Sequence, residues 1–153
     1  MSKSFYSLGL MSGTSMDGVD VSIIKSDGTT EFKAVFNKYF EYSEDFVKKI
    51  ISIRDKINST KDLKLYSEEL SNIEKEITLF HAKVTNEVIK DSNSNIDIIG
   101  FHGQTIFHNA KEKVSKQLGD GNLLSQETQK KVVYDFRQND LKNGGQGAPL
   151  API

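Results

Sequence analysis

Apolar and polar residues alternate over three stretches at the start of the chain. Residues 5–11 and 19–25 have strand character, and a loop of Ser, Gly, Thr, Met and Asp joins them. In the second stretch Val19, Val21 and Ile23 alternate with Asp20 and Ser22, the period-two pattern of a half-buried strand. Ser26-Asp27-Gly28-Thr29 follows, and Asp-Gly between two apolar alternations is a hairpin signal. The alternation resumes over 31–40 and places Phe32, Ala34, Phe36 and Phe40 on one face. The expectation is a three-strand antiparallel meander.

The period then changes. Ser43 suits a helix N-cap, with Glu44 and Asp45 in the first turn, where negative charge is favourable. Phe46, Ile50, Ile53 and Ile57 recur at helical spacing. Asn58-Ser59-Thr60 breaks that helix and can cap the next. From Leu63 through Tyr66, Leu70, Ile73, Ile77, Phe80 and Val84 to Val88 an apolar stripe advances in steps of three and four. That is an amphipathic face suited to packing on a sheet, in one long helix or two. After the polar turn Asp91 to Asn95, Ile96 to Phe101 is a short apolar run that predicts a buried strand delivering a loop, His102-Gly103-Gln104-Thr105. A second loop is expected at 117–122, a short helix from Ser125 to Lys130, and a strand from Lys131 to Tyr134 ending in Asp135-Phe136-Arg137. A meander followed by helix-connected strands is an α/β pattern.

Composition narrows the function classes. The chain has 153 residues, enough for one domain with its own core. Twenty Lys and Arg against 21 Asp and Glu give no basic excess, so nonspecific nucleic-acid binding is not expected. There is no cysteine, hence no disulfide and no thiolate metal site. No apolar window approaches the ~20 residues that cross a bilayer, and Ser, Gly and Tyr interrupt the N-terminal apolar run. A cytoplasmic protein with no membrane partner is the expectation. The last residues, GGQGAPLAPI, form a Gly-rich turn leading into an apolar run, which is the expected look of a chain continuing into something further.

Three polar clusters follow predicted strands. Ser12-Gly13-Thr14-Ser15-Met16-Asp17-Gly18-Val19-Asp20 packs small residues and hydroxyls into a turn whose backbone N–H groups can make a concave anion site. Asp17 or Asp20 could hold Mg²⁺ directly or through water. Neither a P-loop nor a dinucleotide fingerprint is present, and the same residues also suit an ordinary turn. His102 and Gln104, with His108 near, could hydrogen-bond sugar hydroxyls or a carboxylate, or simply satisfy local backbone. Arg137 suits a carboxylate or phosphate fork, with Asp140 and then Gly144-Gly145-Gln146-Gly147 beside it; alone, this could equally be a surface ion pair and a loop. Strand ends converging on one side of a sheet point to a site for phosphate plus a polar small molecule.

The segments GLMSGTSMDGVD (9–20), GFHGQTIFH (100–108), QLGDGN (117–122) and VVYDFRQNDLKNGGQGAPLAP (132–152) resemble, in order, those of the anhydro-N-acetylmuramic acid kinase family. Residues 41–95 carry no motif. The resemblance implies an actin-like, sugar-kinase (RNase-H-like) fold, of which 1–153 would be a single truncated N-terminal domain with the second domain absent. It implies ATP and Mg²⁺ as cofactors and 1,6-anhydro-N-acetylmuramic acid as substrate. The enzyme opens the anhydro ring with water and phosphorylates O6 to give N-acetylmuramic acid 6-phosphate, in peptidoglycan recycling. Carried over by position, Gly13 to Asp20 would be the ATP phosphate hairpin, with Asp17 or Asp20 toward Mg²⁺. His102, Gln104, Arg137 and Asp140 would lie on the sugar side, Arg137 facing the lactyl carboxylate, and Gln146 and Gly147 would approach substrate or the transferred phosphate. The aspartate base is expected beyond Ile153, so no catalytic base is assigned here.

Three readings compete. In the first, a separate chain carrying the C-terminal domain completes a kinase, docking near the apolar Ala148 to Ile153. In the second, the chain is an inactive remnant that binds nucleotide or sugar weakly. In the third, it is a stand-alone phosphate-binding module. An exposed interface predicts low solubility for the chain expressed alone.

Overall fold

Residues 3–148, described by a computed structural model, begin with the expected meander: β1 (Phe5–Ser12), β2 (Gly18–Ser26) and β3 (Phe32–Glu41), paired antiparallel. There follow α1 (Glu44–Lys56), α2 (Thr60–Leu65), α3 (Ser67–Ser92), β4 (Ile98–Asn109), β5 (Val114–Leu118), α4 (Gly121–Thr128), β6 (Lys131–Tyr134) and α5 (Gln138–Lys142). The six strands make one mixed sheet in the order β3-β2-β1-β4. Beyond β4, β6 pairs in parallel with Ile98–Phe101 and β5 antiparallel with the later residues Gln104–Asn109. β1 and β4 are also parallel. The result is the mixed α/β architecture expected from the sequence.

Local chemistry explains the boundaries. The Asp27 carboxylate accepts the backbone N–H groups of Thr29, Thr30 and Glu31, and Gly28 takes a φ of 80° that glycine adopts without strain. Ser43 caps α1 by accepting the N–H of Phe46. The Asp62 carboxylate accepts the N–H groups of Asn58 and Ser59 and so opens α2. The long apolar stripe is two helices, separated at Tyr66. Asn93, in the left-handed region at φ 50°, ends α3.

One face of the sheet carries the core. Leu8, Leu10, Val21, Ile23, Ile99 and Phe101 are buried there against Ile73, Ile77, Val84 and Val88 of α3 and Ile50 and Ile53 of α1. Each such side chain contributes about 1.5–3 kcal/mol relative to exposure. Lys38 of β3, opposite Val21, pairs with Glu87 and Asp91 of α3, which fixes that helix on the same face.

The structure corrects three expectations and adds one short helix. Phe32 and Ala34 do not share a face with Phe36 and Phe40. A bulge at Val35 shifts the register, so Phe36 pairs with buried Ile23 while Ala34 pairs with Ile24, and Phe32 is 71% exposed. His102 to Thr105 is not a loop but the middle of the twelve-residue strand β4. The expected loop 117–122 is divided: Gln117 and Leu118 end β5, and Asp120 caps a helix that begins at Gly121 rather than Ser125. Asp140 lies on the short helix α5, which the apolar pattern is too brief to reveal. Pro149 to Ile153, most of the apolar terminal run, lies outside the described residues.

Candidate functional site

β1, β4 and β6 run parallel, so their carboxyl ends open on one side of the sheet, where open α/β sheets place ligands. All three polar clusters emerge there.

The turn between β1 and β2 is closed by Met16 N–H donating to the Gly13 carbonyl at 3.1 Å, with Met16 at φ 59°. Met16, Gly18 and Val19 are buried and anchor the turn, while Thr14, Ser15 and Asp17 are exposed at its tip. The Ser15 hydroxyl donates to Asp17 at 2.6 Å. That bond, then the backbone N–H of Asp17 itself, hold its carboxyl below the ordinary value, with a smaller contribution from the Tyr39 hydroxyl. Asp20 is exposed on β2, opposite Tyr39. Burial, then the charge of Asp17, and less strongly those of Glu41 and Asp20, push the Tyr39 phenol up. Both candidate metal ligands therefore flank one tyrosine.

The second and third clusters join. His102 accepts from Arg137 at Nε2, at 3.1 Å from Nε and 3.0 Å from a terminal guanidinium nitrogen, while its Nδ1 faces the Gly103 carbonyl at 2.8 Å. This network assigns a neutral ring with the proton on Nδ1. Burial first, and to a lesser degree the Arg137 charge, depress its pKa. Arg137 also donates to the Gly147 carbonyl at 2.6 Å, and Gly147 N–H donates to Asp140 at 2.7 Å. His102, Arg137, Asp140 and Gly147 thus form one connected group, with Gln146 exposed beside it. Asp135, at φ 63°, turns the chain out of β6 toward this contact. A cleft of about 240 Å³ adjoins it, lined by Phe101, His102, Gln117, Tyr134, Asp135 and Gln138 among others.

Gln104 goes elsewhere. It is fully buried, accepts from the Ser12 hydroxyl at 2.5 Å and donates to the Gly13 carbonyl at 3.0 Å. Ser12 in turn contacts the Tyr42 hydroxyl at 3.2 Å. Gln104 thereby ties β4 to the base of the Gly13–Asp20 turn. Ser12 was legible as the first residue of the turn cluster, but its bond to Gln104 and the part played by Tyr42 were not. Gln104→Leu is expected to cost about 2 kcal/mol, because buried polar partners lose their bond, read as a lowered urea midpoint. An unchanged midpoint would show the tie to be dispensable.

Among the described residues no group of three or more His, Cys, Asp or Glu is arranged to hold a metal ion. No described helix is long and apolar enough to cross a membrane. A family model described as anhydro-N-acetylmuramic acid kinase matches residues 5–153. A relative from Pelagibacter ubique with that name is 61% identical over 153 residues, covering 100% of this chain and 41% of the relative. Relatives of the same name from Brucella canis and Agrobacterium fabrum are each 38% identical, covering 95% of this chain and 40% of their own length. The chain spans about two fifths of the length of the curated relatives it matches.

Proposed function

The chain belongs to the anhydro-N-acetylmuramic acid kinase family, a family with the sugar-kinase, actin-like fold, and from that premise we propose that it supplies the phosphate hairpin and part of the sugar side of that kinase. The reaction is ATP-dependent. Water adds at C1 of the 1,6-anhydro sugar as the C1–O6 bond breaks, and O6 takes the γ-phosphoryl group, leaving ADP and N-acetylmuramic acid 6-phosphate. The observation that carries the reading is the convergence of the Gly13–Asp20 turn and the His102–Arg137–Asp140–Gly147 group at the carboxyl ends of parallel strands.

The exposed tip fits a nucleotide phosphate, since the Thr14 hydroxyl and turn N–H groups are donors there, and the Ser15 hydroxyl would become one on turning away from Asp17. Asp17, held ionised, fits Mg²⁺, which usually keeps several waters and takes only one or two carboxylates; Asp20 would be the second. Mg²⁺–ATP supplies the phosphoryl group and neutralises charge developing on it. Neutral His102 holds the Arg137 fork in place, and the guanidinium donors left over face a carboxylate such as the lactyl group of the substrate. Gln104 acts through the turn, as a positioning residue, rather than on the sugar.

Phosphoryl transfer needs groups on both sides of the reacting atoms. The proposal therefore assigns the water-activating base and the adenosine site to the part of the relatives' length that these 153 residues do not match. The alternative is a chain that binds nucleotide or sugar weakly without turnover.

The deciding assay supplies ATP, Mg²⁺ and the anhydro sugar to the 153-residue chain, alone and co-expressed with the unmatched remainder of the Pelagibacter relative, and follows the 6-phosphate by mass spectrometry. Product is expected only from the pair, and is expected to be lost with Asp17→Ala and sharply reduced with Arg137→Ala. A folded, associated pair that makes no product would overturn the kinase reading and leave the binding remnant.

A further inference from the structure

Tyr42 holds the turn between β1 and β2 at both ends. It lies between β3 and the Ser43 cap of α1, in a stretch that carries no family motif, and it is buried. Its ring packs edge-on against Phe46 of α1, at 5.1 Å between centroids, and against Phe80 of α3, at 4.8 Å. Two helices therefore fix where its polar atoms stand. Its backbone N–H donates to the Asp17 carbonyl at 2.8 Å, and its hydroxyl lies 3.2 Å from that of Ser12.

Counting protons gives these bonds a direction. The Gly13 carbonyl only accepts, so the end of the Gln104 side chain 3.0 Å from it is the NH₂ group. The Gln104 amide oxygen then faces Ser12 and accepts its hydrogen. A hydroxyl has one hydrogen to give. With that of Ser12 committed to Gln104, the Tyr42 hydroxyl must be the donor to Ser12. The bonds run one way, from Tyr42 to Ser12 to Gln104, and the Gln104 NH₂ donates onward to the Gly13 carbonyl. Met16 N–H donates to the same carbonyl at 3.1 Å, so both of its lone pairs are used.

The relay sets which way the peptides of the turn point. In a planar trans peptide, C=O and N–H point in opposite directions. Gln104 is fully buried, so the Gly13 oxygen faces the interior, and the Thr14 N–H of the same peptide faces out toward the exposed tip. The Asp17 oxygen is likewise drawn toward buried Tyr42. An oxygen facing outward would repel a phosphate, whereas outward N–H groups attract it.

We propose that Tyr42 is a positioning residue for nucleotide phosphate, orienting the Gly13–Asp20 turn so that N–H groups rather than oxygens meet the anion. It acts at the Gly13 carbonyl through Ser12 and Gln104, and at the Asp17 carbonyl directly. The proposal deepens the reading of this turn as the phosphate hairpin and rests on it.

The test titrates the ¹⁵N-labelled 153-residue chain with Mg²⁺–ATP and follows the backbone amides of Thr14 to Asp17. Tyr42→Phe keeps the ring and removes only the hydroxyl. Its dissociation constant is expected to rise about fivefold or more, the scale of one lost hydrogen bond. The Thr14 amide should be displaced before nucleotide is added, while those of His102 and Arg137 stay in place. Ser12→Ala breaks the next link and should weaken binding as much; it carries the test should Tyr42→Phe not fold. The double variant should bind no more weakly than either single variant, since one relay is interrupted in all three. Tyr6→Phe, at the other end of β1, is the control and should bind like wild type. A Tyr42→Phe chain that binds within about twofold of wild type would overturn the relay and leave the phosphate hairpin standing. So would His102 and Arg137 amides displaced as far as that of Thr14, since the hydroxyl would then serve the fold in general. A wild-type chain whose turn amides respond neither to Mg²⁺–ATP nor to pyrophosphate would overturn both the hairpin reading and this proposal.

Discussion

Through His81 alone, the folded chain is expected to lose about 3 kcal/mol of stability as pH falls from 6.5 to 4. His81 sits on α3 with no exposed surface, 5.0 Å from the Phe101 ring. Its Nδ1 faces the Ile77 carbonyl at 2.8 Å, and its Nε2 has no partner. A second N–H would therefore point into apolar packing, and burial pushes the pKa down to about 4 from 6.5. The unfolded chain takes up a proton near pH 6.5 that the folded chain refuses until near pH 4. Above that window both states are neutral, and below it both are charged. Stability must therefore drop with falling pH inside it. His102, also depressed by burial, acts in the same direction. The lowered carboxyls of Asp17, Glu31 and Asp62 act only further down, as pH falls below their ordinary values of 3.8 to 4.5. Urea unfolding at pH 7.5, 6 and 5 measures the slope. His81→Leu should flatten most of it, and a wild-type stability unchanged from pH 7.5 to 5 would refute the account.

What the sequence made legible follows from the range of the interactions involved. The meander, the capped α1 and the strand at 131–134 rest on periodicity and neighbouring residues, so pattern alone located them. The family motifs likewise marked Gly13–Asp20, His102, Arg137 and Asp140. The partner of each group was not legible, because it depends on register between distant strands. Nothing local says that Gln104 turns to Ser12, 92 residues away, or that His102 meets Arg137, 35 residues on. β5 was hidden because Val114 and Leu118 enclose only polar residues, and its stability comes from pairing with β4. The glycines of GFHGQ resembled a loop signal, whereas one of them is a bulge inside a strand.

That bulge makes the second large prediction. Gly103→Ala is expected to cost about 3 kcal/mol or more. Leu10 pairs with Phe101 and Ser12 with Gln104, so β4 has one residue more than β1 between these pairs. The extra residue reverses the alternation. His102 faces Arg137 on one side, and Gln104, two residues later, faces Ser12 on the other. In a regular strand the two would share a face. Gly103 achieves this at φ 73°, where an L side chain is strained by about 1–2 kcal/mol. An added Cβ would also lie 2.5 Å from the carbonyl oxygen of fully buried Leu118, which cannot retreat without moving β5. Such overpacking costs about 1–3 kcal/mol more. The two costs separate experimentally. Gly103→Asn tolerates the left-handed region better but keeps the clash, so it should recover only about 1 kcal/mol of the loss. Urea midpoints of the three proteins decide it. A loss under about 1 kcal/mol in Gly103→Ala would mean that β4 can run regularly through this point, and the division of His102 and Gln104 between two faces would then need another cause.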